Sequence, residues 1–215
     1  SGLAAGDLAV FVGIGGVGGF GVQLAAARGA AVVAIDVDPG RLEVMAGHGA
    51  DLTLNVAELG FKELRKQLRS FAKGREIPTW RHRIFETSGT AAGQTTAFGL
   101  IGHGSYLAVV GFTPAKVEIR LSNLMAFDAT AQGNWGCPPE HYPAIVDLVL
   151  SGKIALAPFI ETRPLSSINQ TFADKYLRLY STRVILEIEF GVATTGIKTA
   201  CVHCGRSLDC QIGTH

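Results

Sequence analysis

At 215 residues, 47% of them hydrophobic, the chain can bury a sizeable core as one α/β domain and is short for two. A net charge of +1 with no lysine–arginine stripe excludes nucleic acid or a charged membrane surface as its governing partner. No apolar run reaches the ~20 residues of a membrane span, no segment reads as a signal peptide, and four cysteines are too few for a disulfide scaffold, so a reducing cytoplasm is the expected setting.

Residues 1–7 are a short lead-in, closed by a Gly6-Asp7 turn, so the chain reads as a piece of a longer protein. Residues 8–12 (LAVFV) form a continuous apolar run, as a strand buried on both faces requires. Gly13, Gly15 and Gly18 follow in G-x-G-x-x-G spacing. Residues 17–28 carry apolar and alanine positions at helical period, and Gly29 stops the helix. Residues 31–35 are a second buried strand with Asp36 at its end. Pro39 suits the first turn of a helix that Arg41 continues to Ala46. Residues 51–55 make a third strand and complete a βαβαβ unit with right-handed crossovers.

Residues 58–73 are amphipathic, with Leu59, Leu64, Leu68 and Phe71 on one face. A polar connection over 74–83 leads to a fourth strand, 84–87, which runs into Ser88-Gly89. A helix over 91–100 and the Gly102-His103-Gly104 loop precede a fifth strand, 106–110, closed by Gly111-Phe112. Residues 117–120 read as a short edge strand. Ser122 reads as the N-cap of a short helix through Phe127, 129–135 as a sixth strand, and 138–150 as a helix. Residues 159–163 are extended, Ser166 or Ser167 caps a helix to about Leu179, and 183–190 alternate as a final strand. This order predicts an α/β fold over 1–190: a doubly wound parallel sheet (Rossmann fold) of about six strands with helices on both faces.

The glycine spacing has a chemical reading. Gly13 turns the chain tightly off its strand, Gly15 lets the backbone approach a pyrophosphate, and Gly18 lets the helix pack closely on the sheet. The helix N-terminus then offers free N–H groups to phosphates. Asp36, eighteen residues past Gly18, stands close to the ~20 expected of an acid that binds ribose hydroxyls. A glycine-rich turn in an ordinary α/β protein is the alternative. The strand before the motif, the helix after it and the acid beyond favour dinucleotide binding.

GIGGVG at 13–18, VVAIDVDPGRL at 32–42 and HGAD at 48–51 together resemble the zinc-type alcohol dehydrogenases of the medium-chain superfamily. FETSG at 85–89, YLAVVGF at 106–112 and STRVIL at 181–186 extend the resemblance from Leu3 to Phe190. The stretch SNLMAFDATAQGNWGCPPEHYP at 122–143, with the preceding YLAVVGFTPAKVEIRL at 106–121, is similar, more narrowly, to the 6-hydroxycyclohex-1-ene-1-carbonyl-CoA dehydrogenases, which act in anaerobic degradation of aromatic compounds. The resemblance implies an NAD-dependent oxidoreductase acting on a small-molecule alcohol or hydroxyacyl-CoA. It implies pyrophosphate contacts from the backbone of Gly13, Gly15, Gly16, Val17 and Gly18, a ribose diol on Asp36, and NAD rather than NADP. Arg41 matches a basic residue beside the adenosine ribose; a solvated helix charge is its other reading. Thr87 and Ser88 reach the nicotinamide side or serve the turn alone. Val110, Gly111 and Phe112 present backbone groups to the nicotinamide amide, and Arg183 reaches the pyrophosphate; a surface charge is its other reading. Asn134, Trp135 and Gly136 lie where the family pairs strands between subunits, which implies a homo-oligomer; Trp135 is otherwise a core residue.

Family members carry their catalytic zinc ligands in a preceding domain. The expectation is therefore no catalytic or metal residue in this chain, zinc only in the full-length enzyme, and no alcohol oxidation by this part alone. Rival readings are a zinc-independent quinone or enoyl reductase of the same superfamily, against which Asp36 argues, and a non-catalytic NAD-sensing module. Residues 191–215 match nothing in the family. With Cys201, Cys204, Cys210 and His215 they read first as a disordered extension, then as a structural zinc site, and last as a redox CxxC. His48, His82, His103 and His141 read as structural or surface residues, and Cys137 as a packed thiol.

Overall fold

The computed structural model describes residues 1–176 and 183–187. The tail at 191–215, with its cysteines, the end of the last helix and residues 188–190 lie outside the described residues. Six strands form one parallel sheet: β1 (Leu8–Val12), β2 (Ala31–Asp36), β3 (Leu52–Asn55), β4 (His82–Glu86), β5 (Tyr106–Val109) and β6 (Thr130–Gly133). Their order is β3-β2-β1-β4-β5-β6. The chain reverses direction across the sheet between β1 and β4, where Val12 sits beside Glu86. In such sheets the crevice at the carboxyl ends of these two strands is where ligands bind.

Side-chain alternation sorts the core into two layers. Leu8, Val10 and Val12 of β1 join Val33, Ile35, Leu54, Ile84 and Leu107 on one face. There α3 (Val56–Gly74) contributes Leu64 and Leu68, and α4 (Ala91–Gly99) contributes Ala97 and Phe98. Ala9 and Phe11 point the other way, to Val22 and Ala25 of α1 (Gly18–Ala27) and Leu42 and Met45 of α2 (Pro39–Ala46). Buried on both sides, β1 and β2 have to be apolar throughout, which is why they read as continuous runs.

Several expectations are corrected. The helix placed at 58–73 starts at Val56, where the Asn55 side chain accepts from Ala57 N at 3.0 Å, and it kinks at Gly60, whose φ is 68°. No strand forms at 117–120; the strand beside β5 is β6, and it closes the sheet on that side. Ser122 lies inside α5 (Ser122–Ala126) and does not cap it: the turn begins earlier, with Asn123 N donating to Arg120 O at 2.9 Å. The helix predicted over 138–150 is a single 3-10 turn followed by α6 (Tyr142–Leu150). Cys137 is exposed, because it follows β6 out onto the open margin of the sheet.

The final strand leaves the main sheet. β7 (Ile160–Pro164), α7 (Ile168–Tyr176) and β8 (Arg183–Glu187) make a separate two-stranded parallel unit, with Ile160 beside Arg183. At the amino-terminal end of the main sheet, buried Asp7 accepts from Arg81 Nε at 2.8 Å and from Ala4 N at 3.0 Å. Burial raises its carboxyl, but these bonds and the charges of Arg83 and Arg81 outweigh it and hold the group below the ordinary aspartate range. His82 beside it is pushed down, chiefly by burial, against a hydrogen bond with the Ile77 backbone. Among the described residues no helix is long and apolar enough to cross a membrane.

Candidate functional site

The glycine turn leaves β1 at the crevice. Gly13 has a φ of +88°, and a Cβ there would lie 2.5 Å from Ser88 Cα. A Cβ on Gly18 would overlap the Gly13 carbonyl, so α1 can start this close to β1 only with glycine there. Gly15 meets nothing within 4 Å of its missing side chain. The amides of Gly15, Gly16 and Val17 donate to nothing among the described residues. Three open N–H groups therefore gather at the first turn of α1, the place where a helix favours anions.

Asp36 is only 7% exposed and holds this turn from the end of β2. Its Oδ2 accepts from Ile14 N at 2.8 Å; its Oδ1 accepts from Val37 N at 2.8 Å and Asp38 N at 3.0 Å. A carboxylate has about four lone-pair sites, so about one remains, on Oδ2. Asp38 caps α2 through Gly40 N and Arg41 N, and Arg41 Nε stands 3.4 Å from Asp38 Oδ2.

Two cavities meet at Gly15 and Arg41. One, of about 250 Å³, is lined by Gly13, Asp36, Val37, Thr87, Ser88 and Gly93 among others. The second, of about 390 Å³, is lined by Gly16, Phe20, Met45, Phe159 and Arg183 among others. The Arg183 side chain comes within 3.4 Å of where a Gly16 Cβ would be, and it makes no hydrogen bond or ion pair among the described residues. An unpaired guanidinium thus faces the open amides across the turn.

Thr87 and Ser88 are occupied with holding the crevice. Thr87 Oγ1 donates to the Gly13 carbonyl at 2.5 Å, and its backbone N–H donates to Val12 O at 2.9 Å. Ser88 donates through N and Oγ to Glu86 Oε1, at 2.8 and 2.6 Å. Val110 N and Gly111 N both donate to the Glu86 carbonyl, and Gln94 Nε2 donates to Gly111 O. The Val110 carbonyl and the Phe112 backbone are left open on an exposed rim, outside both cavities. Asn134 N donates to Val109 O, and Trp135 is 97% exposed.

Glu86 is the site residue that sequence reasoning missed. It is fully buried; Oε1 gathers the amides of Ser88 and Gly89, and Oε2 has no hydrogen-bond partner among the described residues. In the sequence it is an acid at the end of a short strand, just ahead of Thr87-Ser88-Gly89. Among the described residues no three His, Cys, Asp or Glu side chains gather as a metal site.

Comparison with known proteins gives the family and the fold. Residues 16–151 match the family described as zinc-binding dehydrogenase. An alcohol dehydrogenase of Geobacillus stearothermophilus is 24% identical over 190 residues, which covers 88% of this chain and 52% of the relative. The structure of an alcohol dehydrogenase from Thermotoga maritima superimposes with a TM-score of 0.77 at 29% identity, covering 87% of this chain and 51% of that one. An Escherichia coli CFT073 dehydrogenase, solved as a complex with NADH, shares the fold with a TM-score of 0.70 at 18% identity, covering 86% and 53%. The chain spans about half the length of these relatives.

Proposed function

Because the chain belongs to the zinc-binding dehydrogenase family, we propose that it is the NAD-binding part of an alcohol dehydrogenase-type oxidoreductase, which passes hydride from a secondary alcohol to NAD. One observation carries the reading: the amides of Gly15, Gly16 and Val17, open among the described residues, stand between the Asp36 cavity and Arg183, which has no hydrogen-bond or ion-pair partner among them. Backbone N–H groups and a guanidinium on either side suit a pyrophosphate. Asp36 then takes the ribose diol on its remaining lone pair, and its charge disfavours the 2′-phosphate of NADP. Arg41 flanks the ribose. Thr87 and Ser88 act by holding the turn, and the Val110 carbonyl and Phe112 amide meet the nicotinamide end. Bound NAD supplies the hydride acceptor; the chain binds it, orients it and leaves its reactive end at the margin of the sheet. That a protein of this fold was solved with NADH supports the choice of cofactor.

On this reading zinc is held by another part of the enzyme, as the resemblance to zinc-type alcohol dehydrogenases implies. The substrate is a small-molecule alcohol, and the finer assignment to 6-hydroxycyclohex-1-ene-1-carbonyl-CoA rests on the resemblance of residues 106–143. The intact enzyme is a homo-oligomer: every residue of β6 is exposed, and this free edge continues into exposed Trp135. Titrating NAD and NADP against the chain tests the cofactor reading. Tighter binding of NAD is expected. Equal affinities would remove the ribose role of Asp36, and binding of neither would remove the reading itself.

A further inference from the structure

Gln23 is a polar side chain, 5% exposed, in a helix whose other buried positions are glycine, valine and alanine. Its amide pairs in both directions with one residue far along the chain. Ala155 N donates to Gln23 Oε1 at 2.8 Å, and Gln23 Nε2 donates to the Ala155 carbonyl at 3.2 Å. A buried amide satisfied at both ends fixes its partner segment closely.

That segment leads directly to Arg183. Beyond Ala155 a single turn ends in Phe159, which packs edge-on against Phe20 of α1 at 5.7 Å and against His48 at 5.0 Å. The next residue, Ile160, begins β7 and is the register partner of Arg183. Among the described residues β7 and β8 pair only with each other, and no strand pairing ties them to the main sheet. Gln23 and Phe159 anchor the segment to the same helix whose first turn carries the open amides.

We propose that Gln23 is a positioning residue for the cofactor site: its clamp on Ala155 sets the height of β7 over α1 and so aims the Arg183 guanidinium at Gly16. The proposal rests on the cofactor reading above. It is tested by a double-mutant cycle on the full chain, with NAD affinity measured by calorimetry. Gln23→Met keeps the length and apolar packing of the side chain and deletes both bonds. Gln23→Met and Arg183→Ala should each weaken NAD binding by about tenfold, the scale of one charge-assisted hydrogen bond. The double variant should bind no more weakly than Arg183→Ala alone, because both changes remove one interaction. Phe159→Leu, which loosens the same segment from its other anchor, should cycle with Arg183→Ala in the same way if Gln23→Met folds poorly. Additive losses, or unchanged NAD affinity in both Gln23→Met and Phe159→Leu, would overturn the proposal while leaving the cofactor reading intact. An Arg183→Ala variant that binds NAD as the native chain does would overturn both.

Discussion

Replacing Asp36 should cost the fold as well as the cofactor. A view of Asp36 as a selectivity residue predicts that Asp36→Ala admits NADP and leaves the chain otherwise unchanged. The structure predicts otherwise, because three backbone amides donate to this carboxylate. The Ile14 amide lies in a buried bond, and leaving it without an acceptor costs about 1–3 kcal/mol. The Val37 and Asp38 amides are only partly buried and can turn to water, so they add roughly 0.5–1 kcal/mol each. The sum is about 3 kcal/mol, or a fall in Tm of roughly 6–12 °C for a domain of this size. Asp36→Asn should fall between, since Oδ1 keeps two amides while its NH2 group meets the Ile14 donor. Thermal unfolding followed by circular dichroism measures this, and NAD and NADP titrations run below the transition separate it from cofactor choice. A Tm for Asp36→Ala within a degree or so of the native value would refute the stapling of the glycine turn by this residue.

Three further outcomes follow from the same coordinates. Thr87→Val should destabilise the chain by about 1 kcal/mol and weaken NAD binding, because it deletes the hydroxyl that holds the Gly13 carbonyl; chemical denaturation with cofactor titration reads both. His82 is pushed down by burial, so below the ordinary value of about 6.5 the unfolded chain binds more protons than the folded one. Unfolding free energy should therefore fall as the pH drops from about 6.5 towards the lowered folded value, and His82→Gln should flatten that slope in urea titrations. Trp135→Glu should shift the chain towards monomer in sedimentation velocity if the β6 edge pairs between copies, and a native chain that is already monomeric would remove that assignment.

The glycine turn and its acid are legible in the sequence because their signals are local. Gly13, Gly15, Gly18 and Asp36 fall within one strand–helix–strand unit, where spacing and hydrophobic period fix which atoms meet. What remained hidden depends on distant partners. Nothing near Gln23 announces that its amide closes on Ala155, 132 residues later. The alternation at 183–187 marks a strand but not its neighbour, and the strand pairs with β7 instead of joining the main sheet. The edge strand expected at 117–120 fails similarly: extended residues become a strand only with a pairing partner, and the strand that pairs with β5 is β6. Glu86 was passed over because an acid at a strand end looks like a turn residue until three donors are seen around it.

The separate β7–β8 unit also sets an order of events during synthesis and folding. Every strand of the main sheet, and the glycine turn, is complete once Gly133 has emerged, so the crevice can form before the chain reaches β8. Arg183 comes later, brought back to Gly16 only when β8 finds β7 across the α7 crossover. Bringing such distant residues together is slow compared with local pairing. The crevice should therefore pass through a shape-complete but charge-incomplete stage. A chain interrupted just ahead of Arg183 would keep the scaffold of the proposed nucleotide site and lack the cation proposed to complete it.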